Sequence, residues 1–517
     1  MKKQALDSLV VSGLSAVSLA TTVLLYRLVT RRFGPNDTDA FFLALGALNI
    51  LIIPAYNAIS STLVPTLVRR NAQRPVEVPL LLGATLSWAA IASFAATLLV
   101  STFAAAGIRL FVTGLPADTA HLVGRDVLIL APLVTLQAVG AVLAAASQAA
   151  GRYWAPAAAG VFQQGLTTMV IATGLPLPDV ALLPMAFTLG ALGYLLFLIG
   201  AWPWQNARIR MSLTVPSDLA ASARLAVPLA YGTVALQVGL IGIRLFAARL
   251  APGSVTAFDL AYRVATALVE VSASGVLAVA LTQWSAAVVS GNTDSLRSRL
   301  RDTLALVLFV TLPLPITLHA LRGPLVGLWL SPSAAAPAVA GLTVAALGIL
   351  LIGVPLDIAG RLYVRVLIAR ERTGPLGWLS VQRMIATLIL AAILVRRLGI
   401  GGLALSDTLS VAVTLAALHG VVTGTWRWGF ELGWRTSFPR LMIASGVSWA
   451  AATVVAFMFK ASADWVQLLL GVGAALGTYL LCARITRLPE FATVAMLLKR
   501  AQTLPPRPQA AAGGSLR

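Results

Sequence analysis

Long apolar segments recur along the whole chain, and they restrict its fold more than any other feature. A helix needs about 20 mostly apolar residues to cross the hydrocarbon core of a bilayer. Fourteen segments meet this requirement, at 9–30, 40–64, 79–105, 127–149, 154–176, 179–201, 223–248, 257–288, 302–321, 336–360, 375–395, 402–425, 440–459 and 464–483. Only helices and closed β-barrels satisfy all backbone polar groups in lipid, and barrel strands are short and alternating. The sequence therefore predicts an all-α integral membrane protein with fourteen transmembrane helices.

The composition excludes several other classes of protein. Of the 517 residues, 58% are hydrophobic and only 11% are charged, whereas an average soluble protein has about 25% charged residues. The single cysteine, Cys482, excludes a disulfide scaffold and a cysteine-based metal site. The sequence contains no G-x-S-x-G, H-E-x-x-H or Walker A motif, and its loops have few acidic residues. We therefore expect neither an enzyme nor a bound cofactor or metal.

The net charge of +20 could suggest a nucleic-acid partner, but the positions of the charges indicate membrane orientation instead. If the N-terminus is cytoplasmic, twenty-three lysines and arginines fall in cytoplasmic segments and nine on the opposite side. Cytoplasmic loops of membrane proteins carry an excess of these residues. The sequence therefore predicts that both termini are cytoplasmic, and it gives no reason to expect nucleic-acid binding.

An internal repeat relates the two halves of the chain. The sequence YRLVTRRFGPNDTDAFFLA at 26–44 and the sequence IRLFAARLAPGSVTAFDLA at 243–261 share eight identities in nineteen positions at an offset of 217. Because the offset spans six predicted helices, the two copies have the same orientation in the membrane. Repeated lobes are common in transporters, where the central site lies between them. The alternative is a duplicated structural bundle without a transport role.

The repeat gives the expected domain organisation, which consists of two parallel six-helix lobes followed by two further helices. The predicted parts are a first lobe at 1–203, a cytoplasmic linker at 204–222, a second lobe at 223–427, the thirteenth and fourteenth helices at 428–486, and a cytoplasmic tail at 487–517 that is disordered at its end.

Arginines at membrane depth are the candidate functional residues. A charged side chain inside a membrane span is costly and generally marks a functional site. The planar guanidinium pairs bidentately with phosphate oxygens and stays protonated. Arginine at depth therefore favours an anionic, phosphate-bearing substrate, and the candidates for its binding are Arg263, Arg27, Arg244, Arg361 and Arg383.

Each candidate also has a structural interpretation. Arg263 follows Asp259 by one helical turn, so the two can pair on one face of the helix. The two arginines that are equivalent in the repeat can extend along the helix to the interface. Arg361 can pair with Asp357, four residues before it. Arg383 is alone on its helix and can either project into a cavity or cap a neighbouring helix end.

Several ordered motifs resemble the MurJ/MviN family of lipid II flippases, which belongs to the multidrug/oligosaccharidyl-lipid/polysaccharide exporter superfamily. T-D-A-F-F-x-A-x-x-x-x-N at 38–49 and V-P-x-L at 64–67 resemble the start of these proteins. G-R-Y-x-x-P-A at 151–157 and S-G-V-L-x-V-A-L at 274–281 follow in the family's order. Fourteen helices with internal termini are also the family's layout.

The resemblance implies a function. An undecaprenyl-pyrophosphate-linked sugar headgroup would cross the inner membrane in a cationic cleft by alternating access, while its lipid tail stays in the bilayer. Arg263 matches the family's cavity arginine on the eighth helix, and Asp39 matches its aspartate after the first helix. The implied partners are the lipid-linked oligosaccharide, the bilayer and enzymes of envelope biosynthesis.

The sequence also departs from the family pattern. Three arginines of proven lipid II flippases are replaced, by Ser18 or Leu19, by Leu24 or Leu25, and by Ile52. A lipid-linked exopolysaccharide unit therefore remains the alternative substrate, and binding is expected to be biased towards the second lobe. Relatives that bind sodium use carboxylates in the seventh and eleventh helices, and the eleventh helix here carries only Arg383, so no sodium site is expected.

Two other classes of protein stay open as less favoured alternatives. A drug–cation antiporter of the same superfamily should place carboxylates in the cleft, whereas arginine dominates at depth in this sequence. A non-transporting scaffold in an envelope assembly complex would tolerate the loss of Arg263.

Overall fold

The secondary structure of the protein is helical throughout the part of the chain that the structure describes. A computed structural model describes residues 2–111, 117–174, 179–202, 212–214, 217–270, 293–330, 336–369, 372, 374–424, 437–492 and 494. The first lobe region contains α1 (Lys2–Arg32), α2 (Pro35–Gln73), α3 (Val78–Phe111), α4 (Ala117–Leu130), α5 (Pro132–Ala149), α6 (Trp154–Thr173) and α7 (Asp179–Gly200). The remaining helices are α8 (Ser217–Ala247), α9 (254–270), α10 (Thr293–Thr311), α11 (Pro313–Ala320), α12 (Arg322–Leu330), α13 (Ala336–Ala369), α14 (Gly374–Thr423), α15 (Ser437–Met458) and α16 (Asp464–Ile485).

The predicted all-α membrane class is confirmed. Eleven helical stretches in the described part of the chain are long and apolar enough to cross a membrane. The count of fourteen stays a prediction, because α14 is one 50-residue helix in this count and the predicted segment 257–288 extends beyond residue 270, outside the described residues. The motif at 274–281, most of the linker at 204–222 and most of the tail at 487–517 also lie outside the described residues.

Proline and glycine explain where the long helices are interrupted. Pro132 begins α5 and Pro313 begins α11, where the missing proline N–H and the clash with the preceding turn interrupt the helix. Gly399 has a φ of 53° within α14, a conformation that a residue with a Cβ adopts only with strain. The break divides α14 at the boundary between the predicted segments 375–395 and 402–425.

One buried apolar cluster extends through both repeat copies. It contains Tyr26 and Phe41 from the first copy and Phe258 from the second, together with buried residues of α13 and α14. Two smaller clusters pack α15 and α16 against α10 and α11, and they include Tyr479 and Leu321. The first two helices of each copy therefore meet in the interior, and the division into domains stays a prediction.

Candidate functional site

Asp39, in the first turn of α2, is bonded to the start of α9. Its carboxylate accepts hydrogen bonds from the backbone N–H of Gly253 at 2.7 Å, the backbone N–H of Thr256 at 2.8 Å and the Thr256 hydroxyl at 2.6 Å. Free N–H groups and the helix dipole make a helix N-terminus a favourable place for a carboxylate. Asp39 is buried, so these contacts give it a helix-capping role that joins the two repeat copies.

The repeat explains why these residues meet. At the offset of 217, Asp39 of the first copy corresponds to Thr256 of the second. Two equivalent positions can contact each other only close to the axis that relates the copies. The Thr256 hydroxyl also lies 2.8 Å from the Thr38 hydroxyl. The start of α2 and the start of α9 therefore form a contact on the axis between the lobes.

Asp259 is the centre of a charged cluster beside this contact. Its carboxylate accepts a 3.0 Å hydrogen bond from Arg244 Nε and a second one from Arg244 Nη2. Its other oxygen accepts a 2.6 Å hydrogen bond from Arg263 Nε. The Asp259 side chain is 1% exposed and the Arg244 side chain is 5% exposed. Two arginines thus share one carboxylate, which leaves one positive charge uncompensated within this cluster.

Arg244 reaches Asp259 because α2 provides space for it. A Cβ at Gly46 would lie 2.5 Å from Arg244 Nη1, closer than real Cβ atoms approach another heavy atom. That nitrogen is buried and has no hydrogen-bond partner among the described residues. The close approach of α2 and α8 therefore depends on the absence of a side chain at position 46.

Arg263 is the more accessible arginine of this cluster. Its side chain is 32% exposed, and its guanidinium carbon lies 4.6 Å from the ring centroid of Tyr26 and 5.8 Å from that of Phe42. An arginine over an aromatic ring gains cation–π stabilisation while its outward N–H groups stay available. Arg263 is thus bonded at Nε to Asp259 and lies within cation–π distance of two rings of the first repeat copy.

Arg27 differs from its repeat equivalent Arg244. Its Nε is buried without a hydrogen-bond partner, and no carboxylate within ion-pair distance is found for it among the described residues. The structure therefore does not place Arg27 in the cluster around Asp259.

A second charged cluster lies within the second lobe region. Arg361 donates to Glu270 at 2.8 Å and to Asp357 at 3.2 Å. Arg383 lies 3.4 Å from Asp357 and 3.5 Å from Asp407. Two arginines here face three carboxylates, so this cluster has the opposite charge balance to the cluster around Asp259.

Two adjoining cavities surround the second cluster. Their volumes are about 280 and 160 Å³, and Asp357, Arg361 and Arg383 line both of them. The smaller one also contains Gln237, whose buried Oε1 has no hydrogen-bond partner among the described residues. The expectation that Arg383 projects into a cavity agrees with this placement, and the expected pairing of Arg361 with Asp357 is present.

A third feature is an apolar groove between the second lobe region and α15. Its volume is about 560 Å³, and leucine, isoleucine, proline and methionine side chains make up most of its wall. The lining residues come from α10, α11, α13, α14 and α15. Leu356 and Ala359 of α13 face the groove, whereas Asp357 and Arg361 of the same helix line the polar cavities. Opposite faces of α13 thus separate an apolar site from a charged one.

Some residues of these sites could not be identified from the amino-acid sequence. Tyr26, Phe42 and Gly46 shape the surroundings of Arg263 and Arg244. The only sign of their role in the sequence was their position in or next to the first copy of the repeat. In the first lobe region, Ser18 takes part in a 3.1 Å hydrogen bond with Gln164. No group of three potential metal ligands among His, Cys, Asp and Glu occurs within the described residues.

Comparison with known structures identifies the fold. The structure of lipid II flippase MurJ in an inward closed conformation matches with a TM-score of 0.77 and 17% identity, covering 92% of this chain and 99% of that one. An inward-facing MATE family transporter of the MOP superfamily matches with a TM-score of 0.67 and 15% identity, covering 79% and 95%. A MOP superfamily transporter from Pyrococcus furiosus gives a TM-score of 0.58 and 14% identity, covering 82% and 95%.

Identities this low establish a shared fold only. Among curated protein sequences, none matches the chain significantly. A family model described as lipid II flippase MurJ, however, matches residues 12–472. That match covers most of the chain, from the first predicted helix to the fourteenth. The chain therefore belongs to the lipid II flippase MurJ family.

Proposed function

We propose that this protein moves an undecaprenyl-pyrophosphate-linked envelope precursor across the inner membrane by alternating access, with both termini in the cytoplasm. The single observation that carries the proposal is the arrangement of two arginines, the buried Arg244 and the more accessible Arg263, around the buried Asp259 between the repeat copies. This arrangement leaves a fixed positive charge where a transported headgroup would pass. On this proposal the protein is a transporter and has no catalytic role.

The chemistry of Arg263 suits a pyrophosphate. A buried charge without a partner costs several kcal/mol, so an anionic headgroup requires fixed cations along its path. Asp259 and the rings of Tyr26 and Phe42 restrict the Arg263 side chain, which reduces the conformational entropy lost when phosphate binds. The terminal guanidinium nitrogens remain available for a bidentate pair with phosphate oxygens. Arg361 and Arg383 are further candidates, because a phosphate could exchange with the carboxylates that now hold them.

The contacts between the lobes support an alternating-access cycle. Asp39 bonds the start of α9, and the Trp329 indole N–H of α12 donates to the Val23 carbonyl of α1 at 2.9 Å. The charge bias of the loops assigns the first of these contacts to the outer side of the membrane. Among the described residues few hydrogen bonds hold this outer contact together, so the free-energy cost of exchanging them for bonds to water on opening would be modest.

The apolar groove provides a place for the lipid tail. The hydrocarbon of a polyprenyl chain gains free energy from contact with apolar walls and shape complementarity, and the groove lies directly behind the charged cavities across α13. A headgroup on the charged side and a tail on the apolar side would match an amphiphilic substrate.

Lipid II is the first candidate substrate because of the family to which the chain belongs. A lipid-linked exopolysaccharide unit is the second candidate. The specific observation in its favour is that the three positions where the family pattern has arginine hold uncharged side chains, namely Ser18 or Leu19, Leu24 or Leu25, and Ile52. Either headgroup is attached through pyrophosphate, so the role proposed for Arg263 is the same in both cases.

The test is complementation of two bacterial strains in parallel. One is depleted of its own lipid II flippase, and the other lacks an exopolysaccharide-unit flippase. Rescue of the first strain supports lipid II, and rescue of the second strain alone supports the exopolysaccharide unit. Rescue of neither, with the protein confirmed in the membrane, would contradict the proposal for both substrates.

A further inference from the structure

A cluster of hydrogen-bond donors lies at one end of the apolar groove, away from the arginine clusters described above. The groove is lined by His319 of α11 and by Ser445 and Trp449 of α15. Arg322, the first residue of α12, is adjacent to His319. Within the described part of the chain, His319, Ser445 and Trp449 are the polar residues that line this end of the groove, and Arg322 lies beside His319.

The histidine presents a donor because its other nitrogen is used as an acceptor. Trp449 Nε1 donates to His319 Nδ1 at 3.1 Å, and Arg322 Nη1 lies 3.4 Å from the same atom. Both neighbours carry protons, so Nδ1 must accept and the ring proton is assigned to Nε2. His319 therefore has an N–H on the ring nitrogen opposite to the one bonded by Trp449.

Ser445 is an independent observation that points to a hydrogen-bonding ligand at this end of the groove. It is 3% exposed, it lines the groove, and its hydroxyl has no hydrogen-bond partner among the described residues. An unsatisfied buried hydroxyl costs about 1–3 kcal/mol. The other hydroxyl of the groove, on Tyr363, is satisfied by His419 Nδ1 at 3.0 Å. Ser445 is therefore the exception that a ligand oxygen would satisfy.

Arg322 supplies the charge. Its Nη1 donates to the His319 carbonyl at 2.5 Å, which caps the last turn of α11 and uses one of its five N–H groups. Within the described part of the chain, no carboxylate lies within ion-pair distance of Arg322, unlike Arg244, Arg361 and Arg383. The cap explains the position of the guanidinium but does not neutralise it.

Gly348 of α13 lets the arginine side chain lie close to the helix. A Cβ at this position would lie 3.1 Å from both Cδ and Nε of Arg322. An alanine there would force the guanidinium to shift without changing its charge. This gives a substitution that separates the position of Arg322 from its charge.

We propose that Arg322, His319 and Ser445 form a phosphate subsite for a polyprenyl phosphate whose chain lies in the apolar groove. Three hydrogen-bond donors without an anionic partner match a ligand group that only accepts hydrogen bonds. In a lipid, a charged phosphate oxygen is the strongest such acceptor. The polyprenyl chain is the lipid tail that the proposed function assigns to this groove, and a two-chain phospholipid is the alternative that the experiment distinguishes. This inference rests on the proposed function and adds a second lipid-phosphate site, on the opposite face of α13 from Arg361.

The test measures lipid binding to the purified full-length protein by native mass spectrometry. The probes are undecaprenyl phosphate, undecaprenol as the phosphate-free chain, and dioleoylphosphatidylglycerol as the two-chain anion. Arg322→Gln should lower the affinity for undecaprenyl phosphate about tenfold or more, as expected for the loss of a charge-assisted hydrogen bond. Undecaprenol binding should not change. Arg322→Lys should retain part of the affinity, and Gly348→Ala and Ser445→Ala should each weaken binding by a smaller factor.

Arg397→Gln is the matched control, because Arg397 is an exposed arginine elsewhere on the protein. Melting temperatures of all variants check their folding, and Arg322→Lys keeps the test valid if Arg322→Gln does not fold. Equal binding of undecaprenyl phosphate by wild type and both Arg322 variants would overturn the inference, as would the absence of binding to the wild type. Arg322-dependent binding of dioleoylphosphatidylglycerol at equal strength would replace it with a general anionic-lipid site.

Failure of this subsite and failure of the proposed function are distinguishable. Successful complementation together with Arg322-independent lipid binding would leave the flippase proposal intact and remove the subsite. Failed complementation together with Arg322-dependent binding would leave a lipid site without the transport role.

Discussion

The two copies of the repeat share a backbone plan but carry different chemistry. At the offset of 217, Arg27 corresponds to Arg244, whereas Phe42 corresponds to Asp259. The second copy therefore has an arginine with a buried carboxylate partner, and the first copy has an arginine facing no such partner at the equivalent place. The copies have kept the arginine and diverged in what surrounds it.

The differences are complementary across the axis between the lobes. Gly46 of the first copy corresponds to Arg263 of the second, and the space at Gly46 is filled by the guanidinium of Arg244. Phe42, which stands at the position of Asp259, forms part of the aromatic wall against Arg263. The first copy thus contributes space and aromatic surface, and the second contributes charge. A duplicated framework has in this way produced a single asymmetric site.

Removal of the shared carboxylate should have the largest effect. Asp259→Asn leaves two arginines held by a neutral amide, and loss of one partner of a buried ion pair typically costs about 3–5 kcal/mol. We expect a large fall in thermal stability in detergent. Asp118→Asn is the control, because Asp118 is exposed. Equal melting temperatures for the two variants would mean that Asp259 does not hold the second copy together.

Removal of the accessible charge should affect transport more than stability. Arg263→Ala should reduce headgroup translocation into liposomes by about 10- to 150-fold, because charge-assisted hydrogen bonds contribute about 1.5–3 kcal/mol. Arg263→Lys should retain part of the activity, since it keeps the charge and loses the bidentate geometry. Arg397→Ala serves as the exposed control. Full activity of the alanine variant would place Arg263 in a purely structural role.

Filling the space at the first copy tests whether the copies are complementary. Gly46→Ala should displace Arg244 from Asp259 and cost about 1–3 kcal/mol, the usual range for overpacking. Gly165→Ala is the control, because a Cβ at this helical glycine would meet nothing within 4 Å. Unfolding of both variants would be compared by the loss of helical circular dichroism with temperature. A Gly46→Ala variant as stable as the control would show that the space is not required.

The smallest effect is expected for the arginine without a partner. Arg27→Gln should change stability by less than about 1 kcal/mol, because Arg27 makes no hydrogen bond or ion pair with the described residues that the substitution would remove. Arg244→Gln, its repeat equivalent, should destabilise clearly more because it leaves Asp259 with one arginine. Thermal unfolding of the two variants side by side measures the difference. Equal losses of thermal stability in the two variants would mean that Arg27 and Arg244 contribute equally to stability despite their different surroundings.

The sequence by itself determined the class of fold. Apolar segments long enough to span a bilayer leave the backbone no alternative to helices, so the all-α membrane architecture follows from local composition alone. The order of short motifs from Thr38 onwards was sufficient to indicate the family that the family model confirms. The sequence also predicted the pairing of Arg361 with Asp357, because residues four apart on a helix are neighbours.

Only the tertiary structure decided which arginines are neutralised. Asp259 is fifteen residues from Arg244, and Arg383 is 24 residues from Asp407, so neither pair follows from helical spacing. The capping of α9 by Asp39 joins residues 214 and 217 positions apart. Charge at membrane depth can be read from the sequence, but its compensation depends on which helix faces are adjacent. The physical reason is that ion pairing and close packing are short-ranged, so they are fixed only when distant segments of the chain come together.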